Sequence, residues 1–473
     1  MTPVVSQVFF KPYFCVLKNV SVMLLFKLSR FYYLFAAGCI GFSVFSFTVY
    51  NISLPDKIPQ HPLTGIFSQE QITWIDDSGT VSENAKVLLD VLQNSCLDGL
   101  NPEDYQFSGI RKNLKDLDQA KKDANTLKSR GLAATLNRLL DQAFILYAMH
   151  QFQGRFRNEV DHPYGQRRIT AVFLKDSISK ALLSGDVRRM LAAFECPLPL
   201  YKRYKNLLAI YLARRVQSYA RVSPGKVTVM NTLDSQIMII RINMERCRWY
   251  GRDPGSDTQM IINIPSFRLS LQVRGMHILE MKIIAGLSRH PTPMIRSEMK
   301  GIILHPYWNI PPGILARDIL PATRKDSSYL SRHQIHKVHT GGKVRYRQDP
   351  GKGNPLGEIK LTFSNRHFIS IHDTPDKELF KKNIRSFSNG CIRIEKARQL
   401  AAALLHVDSA NFANMLDSVP PRQETWILYK GACDILVTYR TIEFDDSGNP
   451  VFLRDVYGRD RKMMKLLKWV TGL

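Results

Sequence analysis

The chain has 473 residues, with 66 lysines and arginines against 41 aspartates and glutamates, and a formal net charge of +25 when histidine is neutral. Its length suits about three domains. Hydrophobic residues make up 44% and charged residues 23%, a balance that excludes a disordered, collagen-like or disulfide-dense chain. Seven cysteines without a Cys-x-x-Cys pair argue against a zinc ribbon or a thioredoxin-like redox site. The positive charge favours an anionic partner, such as nucleic acid, an anionic membrane or a cell-wall polymer.

The N-terminal region contains a long apolar segment. No charged residue occurs from Phe31 to Pro55, and about 20 apolar residues suffice to cross a bilayer. The residues before this segment include basic but no acidic side chains, which predicts that they stay cytoplasmic. We therefore predict an uncleaved single-pass anchor in the inner membrane at residues 31–50, with the following chain in the periplasm; a cleaved signal peptide is the alternative. An exported chain argues against nucleic acid as a partner.

Helical patterns dominate the next part of the chain. Residues 51–81 contain several prolines and are predicted to form a linker. Apolar residues then recur at spacings of three and four over residues 132–147 and 200–219, which predicts two amphipathic helices. No pattern in this region points to chemistry, and residues 82–225 are therefore predicted to be a helical scaffold domain.

The pattern changes after residue 230 to one helix and several short alternating runs. The helix is predicted to begin at Asp234 or Ser235, both of which can act as an N-cap. Apolar and polar residues alternate over residues 267–273, which predicts a half-buried strand that a short turn connects to a partner strand at 276–285. Further predicted elements are strands at residues 359–363 and 366–372, a helix at 395–406 and a hairpin around 445–449.

A polar stretch at about residues 305–357 interrupts this β-rich region. It is rich in proline, glycine, arginine and histidine and lacks strong periodicity, which is typical of a lid or binding loop. His333, His336 and His339 are of a type that binds metals. Their spacing of three, however, fits neither a strand face nor one helix face, and no acidic partner adjoins them. A polar loop is the favoured interpretation, and no metal site is predicted.

A histidine and a cysteine stand out near the end of the β-rich region. His372 closes the predicted strand 366–372 and is expected to be presented at its polar face. Cys391 follows the turn sequence Ser-Asn-Gly, which can leave backbone N–H groups unpaired. A thiol whose proton an imidazole can take is the minimal arrangement for nucleophilic acyl transfer, and the N–H groups of Gly390 and Cys391 could hold the oxyanion. A lone cysteine is otherwise most often a small core residue, and this alternative stays open here.

Short motifs along the chain carry a resemblance to a known family. They are Gly99–Tyr105, Asn243–Trp249, Asn263–Phe267, Pro291–Pro293, Pro306–Pro311, Gly353–Gly357, His372–Pro375, Arg385–Arg393 and Asp455–Asp460. Together they resemble the L,D-transpeptidases, whose catalytic module is called the YkuD domain, and in particular the large YcbB type. The family pattern is a histidine followed by Ser/Thr-x-Gly-Cys, which His372 and Ser388–Cys391 match.

The resemblance implies a role for each residue of the motif. Cys391 takes the position of the nucleophile and His372 that of the general base, with Gly390 beside the oxyanion. In the family a backbone carbonyl near the histidine often orients the imidazole, and Asp373 occupies that neighbourhood with its carbonyl or its carboxylate. Arg393 could bind a substrate carboxylate bidentately. The residues expected to contact substrate are Ser370, Asp373, Arg385, Ser388, Asn389 and Arg393.

Three features depart from the family pattern. Ser370 stands where relatives commonly carry an aromatic residue, which changes the expected substrate contacts. Asn389 and Arg393 replace a histidine and an asparagine of many members, although the YcbB type tolerates both changes. The connection between the scaffold and the catalytic region is too short for the peptidoglycan-binding module of larger relatives, so wall affinity is expected from the basic surface, the lid or membrane tethering.

The resemblance implies a peptidoglycan L,D-transpeptidase. The third residue of a tetrapeptide donor stem would acylate Cys391 with release of D-Ala, and an amine of an acceptor stem would then form a 3–3 cross-link. No metal or organic cofactor is implied, and carbapenem β-lactams are expected to be covalent inhibitors. Two alternatives stay open: an L,D-carboxypeptidase with water as acceptor, and a non-catalytic wall-binding scaffold with an inert cysteine.

The predicted fold class is α+β, with a helical scaffold domain, a β-rich catalytic domain of YkuD type and an inserted lid loop. The predicted organisation is a cytoplasmic N-terminus (1–30), a transmembrane anchor (31–50), a linker (51–81), the scaffold domain (82–225), the catalytic domain (226–420, with the lid at about 305–357) and a C-terminal β-hairpin and basic helix that complete the scaffold (421–473).

Overall fold

The computed structural model of the protein describes residues 73–156, 186–220, 232–250, 255–420 and 422–467. They all lie in one compact unit, Gly65–Leu473. The predicted anchor at residues 31–50 lies outside these stretches, and no helix within them is long and apolar enough to cross a membrane. The described residues therefore give no support to the predicted single-pass localisation, which we withdraw together with the membrane as a partner.

Five α-helices form the described part of the scaffold region. They are Glu83–Gln93, Phe107–Lys122, Thr126–Gln153, Val187–Phe194 and Pro199–Ala220. Three of them begin at a capping residue, because Ser82, Asn125 and Asp186 each accept a hydrogen bond from a backbone N–H of the first turn. Both helices predicted from the apolar spacing are confirmed: the first is the middle of Thr126–Gln153 and the second is Pro199–Ala220.

A closed ring of strands forms the second part. In chain order the strands are β1 (Thr258–Asn263), β2 (Arg268–Val273), β3 (Met276–Gly286), β4 (Ile295–Leu304), β5 (Trp308–Asn309), β6 (Ile335–Thr340), β7 (Lys343–Gln348), β8 (Ile359–Phe363), β9 (Ile371–His372), β10 (Ser386–Ser388), β11 (Ile392–Ile394), β12 (Thr425–Leu428), β13 (Cys433–Thr438), β14 (Ile442–Phe444) and β15 (Pro450–Phe452). Within the described chain, the ring runs β3-β11-β9-β8-β4-β13-β1-β2, and the pairing of β2 with β3 closes it. Apolar side chains fill one core, which helices Ala397–Leu405 and Ser409–Ser418 share. The predicted fold class, a helical scaffold joined to a β-rich domain, is confirmed.

The C-terminal strands serve both parts of the unit. β13 lies between β1 and β4, so residues 433–438 belong to the ring, whereas the predicted boundary at residue 420 assigns them to the C-terminal part. The hairpin β14–β15 instead packs on the scaffold helix Pro199–Ala220. There the hydroxyl of Tyr204 donates to the carbonyl of Ile442 at 2.6 Å, and the Tyr204 ring stacks on Phe444.

The helix Thr232–Trp249 joins the two parts. Ile240 and Met244 pack in the scaffold core, while Ile242 and Trp249 pack in the core of the ring. Residues 240–249 are therefore buried on every side, although four of them are charged. The sequence pattern indicates only one apolar face, because charged residues on a helix are usually exposed to solvent and these four are buried.

Two of those buried charges, Arg246 and Arg248, have hydrogen-bonding or ionic partners. The guanidinium of Arg248 donates to the carbonyl of Asp98 at 2.5 Å and to the hydroxyl of Tyr201 at 2.9 Å. Arg246 forms an ion pair at 2.6 Å with Asp460 of the last helix, Arg459–Leu467, and both side chains are at most 5% exposed. Buried charges are tolerated only when they are compensated in this way.

The lid is a small folded layer and not an irregular loop. Its helical turns are Pro312–Ile314, Leu315–Ile319, Leu320–Lys325 and Tyr329–Arg332, beside a three-stranded sheet in the order β5-β7-β6. Ile310, Ile319 and Ile335 form its own core. The interpretation of the three histidines as part of a polar loop is wrong, because His336 and His339 lie on β6 and the imidazole of His336 pairs with Asp349 at 2.9 Å.

Replacement of Asp460 by asparagine should destabilise the protein, because Arg246 then lies buried without a counter-charge. Removal of one partner from a buried ion pair costs on the order of 3 kcal/mol. Urea unfolding at neutral pH should show this loss as a lower midpoint. Asp257→Asn is the matched control, since the pair of Asp257 with Arg274 is exposed and such pairs contribute little. Equal effects of the two substitutions would contradict the assignment.

Candidate active site

Two short strands bring the predicted nucleophile and base to one face of the sheet. β9 and β11 are parallel neighbours, with Ile371 opposite Ile392 and His372 opposite Arg393. Both isoleucines are fully buried. Because side chains alternate along a strand, His372, Arg393 and Cys391 point to the other face. The thiol and the imidazole therefore share one face.

The predicted strand over residues 366–372 is wrong except for its last two residues. The preceding residues form a loop in which the side chain of Asn365 accepts hydrogen bonds from two backbone N–H groups. This local bonding competes with strand formation. Phe368 in the loop adopts a φ of +55° and is 92% exposed. His372 itself is only 5% exposed, so it is buried where the sequence predicts a presented side chain.

The imidazole of His372 has a fixed tautomer. Its Nδ1 lies 2.6 Å from the backbone carbonyl oxygen of Asp373. A carbonyl can only accept, so Nδ1 carries the proton, and Nε2 of the neutral ring is left as an acceptor. The carboxylate of Asp373 is engaged elsewhere, with Lys377 and with the backbone N–H of Glu358. The carbonyl of Asp373, and not its carboxylate, therefore orients the imidazole.

The buried position of His372 keeps the ring neutral. Burial lowers the pKa of His372 to about 4, and the hydrogen bond to the Asp373 carbonyl opposes this only in part. The nearby cations Arg393 and Lys360 lower the pKa further. At neutral pH the ring is therefore uncharged and able to accept a proton.

The turn before Cys391 is held by the hydroxyl of Ser388. This oxygen accepts from the N–H of Gly390 at 3.1 Å and donates to the carbonyl of Cys391 at 2.5 Å. Gly390 has a φ of +113°, a conformation that favours glycine. The sequence predicts two oxyanion donors, but the N–H of Gly390 already donates to Ser388. Within the described chain no group accepts from the N–H of Cys391, which leaves this one donor. The hydroxyl of Ser370 lies 3.5 Å from the thiol sulfur.

A second loop supports this turn, although none of its residues is predicted from the sequence to belong to the site. The buried hydroxyl of Thr292 accepts from the N–H of Gly286 and donates to the carbonyl of Gly390, both at 2.8 Å. Position 286 must be glycine, because a Cβ there would lie 2.1 Å from the carbonyl oxygen of His290. The only sequence signal is the Pro-Thr-Pro run around Thr292.

Two predicted substrate residues lie near the opening of the site. Arg393 stands beside His372 in the strand register and pairs with Asp376 at 2.8 Å. Asn389 is exposed on the turn, and its side-chain oxygen lies 3.4 Å from the guanidinium of Arg317 in the lid. The lid therefore reaches the catalytic turn.

Three other predicted substrate residues are turned into the domain. Arg385 is 8% exposed, and its guanidinium donates to the backbone carbonyls of Phe267, Ile283 and Lys382. Ser388 and Asp373 are buried as well, with their side chains in the hydrogen bonds described above. The polar groups of these three side chains form hydrogen bonds within the domain, so the side chains support the site and do not face a substrate.

The described stretches contain no candidate metal site, and Cys96 and Cys391 are their only partly exposed cysteines. They contain no group of three or more His, Cys, Asp or Glu residues that could hold a metal ion. Of their five cysteines, Cys196, Cys247 and Cys433 are buried, while Cys391 and Cys96 are partly exposed free thiols.

Two family models match the chain. A scaffold domain matches residues 68–208, and the L,D-transpeptidase catalytic domain named YkuD matches residues 257–418, which include His372 and Cys391. The β-rich domain is thus an L,D-transpeptidase catalytic domain. The chain joins it to the scaffold domain, and the resemblance inferred from the motifs is confirmed.

Similar proteins cover parts of the chain. A Haemophilus influenzae protein provisionally named an L,D-transpeptidase is 29% identical over 227 residues, which are 44% of this chain and 46% of the relative. The chain thus spans about half the length of the curated relative that it matches. An L,D-transpeptidase structure from Mycobacterium smegmatis matches 39% of this chain and 59% of its own at 14% identity, with a TM-score of 0.20. The structure of L,D-transpeptidase 3 from Mycobacterium tuberculosis matches 38% of this chain and 61% of its own at 10% identity, with a TM-score of 0.21.

The low pKa of His372 predicts that the stability of the folded protein depends on pH in the acidic range. In the folded protein the ring should titrate near pH 4, below the usual value of about 6.5. The unfolded chain then binds the proton more readily, so stability should fall as the pH drops from about 6.5 towards 4. An NMR titration of the ring C–H signals, assigned with His372→Gln, measures this pKa. A midpoint near 6.5 for His372 would show that the ring is not buried as described.

Proposed function

We propose that the protein is a peptidoglycan L,D-transpeptidase that forms 3–3 cross-links through a thioester on Cys391. The observation that carries this proposal is the shared face of Cys391 and His372, with Nδ1 held by a carbonyl and Nε2 left to accept the thiol proton. The matched catalytic domain supports peptide stems of the cell wall as the substrate class.

The reaction consists of two acyl transfers. His372 Nε2 takes the thiol proton as the Cys391 sulfur attacks the carbonyl carbon of the third residue of a tetrapeptide stem. The backbone N–H of Cys391 donates to the developing oxyanion. The C–N bond then breaks, and the imidazolium returns its proton to the amine of the leaving D-Ala. An acceptor amine attacks the thioester, loses its proton to the same histidine and releases the thiol.

The charges around the site suit a substrate that carries carboxylates. Lys360 and Arg393 lie opposite His372 in the strand registers on its two sides. Both cations lower the pKa of His372, so their field extends over the reacting atoms. The guanidinium of Arg393 pairs with the exposed carboxylate of Asp376, and a terminal carboxylate of the stem would compete with Asp376 for it.

Two alternatives differ from this proposal in defined ways. Water as the acceptor would make the same site an L,D-carboxypeptidase. The transferase is favoured because the catalytic domain matches that of the L,D-transpeptidases. A non-catalytic wall-binding scaffold requires an inert thiol, whereas Cys391 is partly exposed beside the Ser370 hydroxyl.

Carbapenem acylation tests the nucleophile. Attack of Cys391 on the strained lactam should add the mass of one carbapenem to the tryptic peptide that contains it, and Cys391→Ala should remove the adduct. Cys96→Ala is the matched control, because Cys96 is also a partly exposed free thiol. An adduct that persists in Cys391→Ala would refute the assignment.

Removal of the base should slow the same reaction without abolishing it. His372→Ala should lower the acylation rate by on the order of 100-fold, since general base catalysis contributes this much or more. Raising the pH should partly restore this variant, because hydroxide can then take the thiol proton, but it should never restore Cys391→Ala. A wild-type rate in His372→Ala would exclude the histidine as base.

Product analysis distinguishes the acceptors. The purified chain should convert a disaccharide-tetrapeptide into a dimer that has lost one D-Ala, which mass spectrometry detects. Tripeptide as the sole product would instead establish the carboxypeptidase. Cys391→Ala should give neither product.

A further inference from the structure

Among the described residues, the peptide bond between Gly390 and Cys391 has a hydrogen-bond partner at its carbonyl end only. Its carbonyl oxygen accepts from the hydroxyl of Thr292 at 2.8 Å. Its N–H, on the other side of the same rigid plane, is the donor proposed above for the oxyanion. Any group that fixes the carbonyl therefore also fixes the direction of the N–H.

We propose that Thr292 is a positioning residue that aims the N–H of Cys391 at the oxyanion of the reacting carbonyl. This inference rests on the proposed acyl transfer. Thr292 contacts neither the thiol nor the substrate; it acts through the Gly390–Cys391 peptide.

The direction of the Thr292 hydroxyl proton follows from its partners. The oxygen already accepts from the N–H of Gly286 at 2.8 Å, so its own proton is directed to the carbonyl of Gly390. Thr292 is fully buried, and water therefore does not compete for these bonds. Donation to the carbonyl also polarises the amide, which strengthens its N–H as a donor.

The C-terminal segment holds the backbone of Thr292. The hydroxyl of Tyr457 accepts from the N–H of Thr292 at 3.3 Å and donates to the carbonyl of Gly286 at 2.7 Å. The guanidinium of Arg459 donates to the carbonyl of Thr292 at 3.2 Å. The threonine is thus fixed on both sides before it reaches the catalytic turn.

The catalytic turn needs such an external hold. Gly390 has a φ of +113° and lacks a Cβ. The peptide plane that follows a glycine can rotate more freely than one that follows any other residue. Rotation of this plane would swing the N–H of Cys391 away from the oxyanion. Thr292 removes that freedom through the carbonyl end.

Two reactions of the same thiol separate positioning from general support. Acylation by a carbapenem develops an oxyanion, whereas alkylation by iodoacetamide displaces iodide and develops none. Thr292→Val should lower the acylation rate by on the order of 10- to 100-fold, somewhat less than the loss of an oxyanion donor itself. Alkylation of Cys391 in this variant should stay at the wild-type rate.

Three further variants complete the test. Thr292→Ser keeps the hydroxyl and should restore acylation, while Tyr457→Phe should lower acylation selectively but less. Thr438→Val is the matched control, because Thr438 is also buried and its hydroxyl donates to a backbone carbonyl, that of Ile262. It should change neither reaction.

The outcomes are distinct. Unchanged acylation in Thr292→Val, or an equal fall of acylation and alkylation, overturns the positioning role. A wild-type chain that is alkylated at Cys391 but never acylated overturns the proposed function itself, and the positioning role with it. A selective loss of acylation that Thr292→Ser reverses supports both.

Discussion

The parallel pairing of β9 with β11 is the constraint on which the site depends. Its two buried isoleucines, Ile371 and Ile392, lie opposite each other and can point only into the core of the ring. Side-chain alternation then sends Cys391, His372 and Arg393 to the opposite face. Hydrophobic burial on one side of two very short strands thus places the side chains of two separate segments on one face. The chemistry depends on packing that takes no part in it.

Much of the fold follows from local patterns. The strand Ile359–Phe363 and the long scaffold helix Thr126–Gln153 have clear periodicity, and the structure confirms both. The prediction of a strand at 366–372 is wrong for most of its length, because the side chain of Asn365 accepts hydrogen bonds from nearby backbone N–H groups, which periodicity does not reveal. The helix Thr232–Trp249 was predicted with one apolar face, since its charges gain their partners only from distant segments.

The sequence predicts a nucleophile and a base, Cys391 and His372, and the structure places both on one face of the sheet. Cys391 and His372 belong to a motif, and local sequence therefore identifies them. The exposure of His372 was mispredicted because burial depends on the elements packed around it. Arg385 has the charge of a substrate ligand, but its donors end on three backbone carbonyls. Thr292 carries no chemical signal in the sequence, since its importance arises from a contact across about a hundred residues.

The lid shows how such a domain can diversify. β4 and β8 are adjacent antiparallel strands in which Leu304 pairs with Ile359, and the N–H of His305 donates to the carbonyl of Glu358 at 2.8 Å. The inserted layer thus starts and ends at neighbouring points, as the loop of an ordinary hairpin does, and it has its own core. Evolution can exchange this cassette without altering the register of the ring. The contacts of the lid at the turn before Cys391 can therefore change while the pairing of β9 with β11 stays in place.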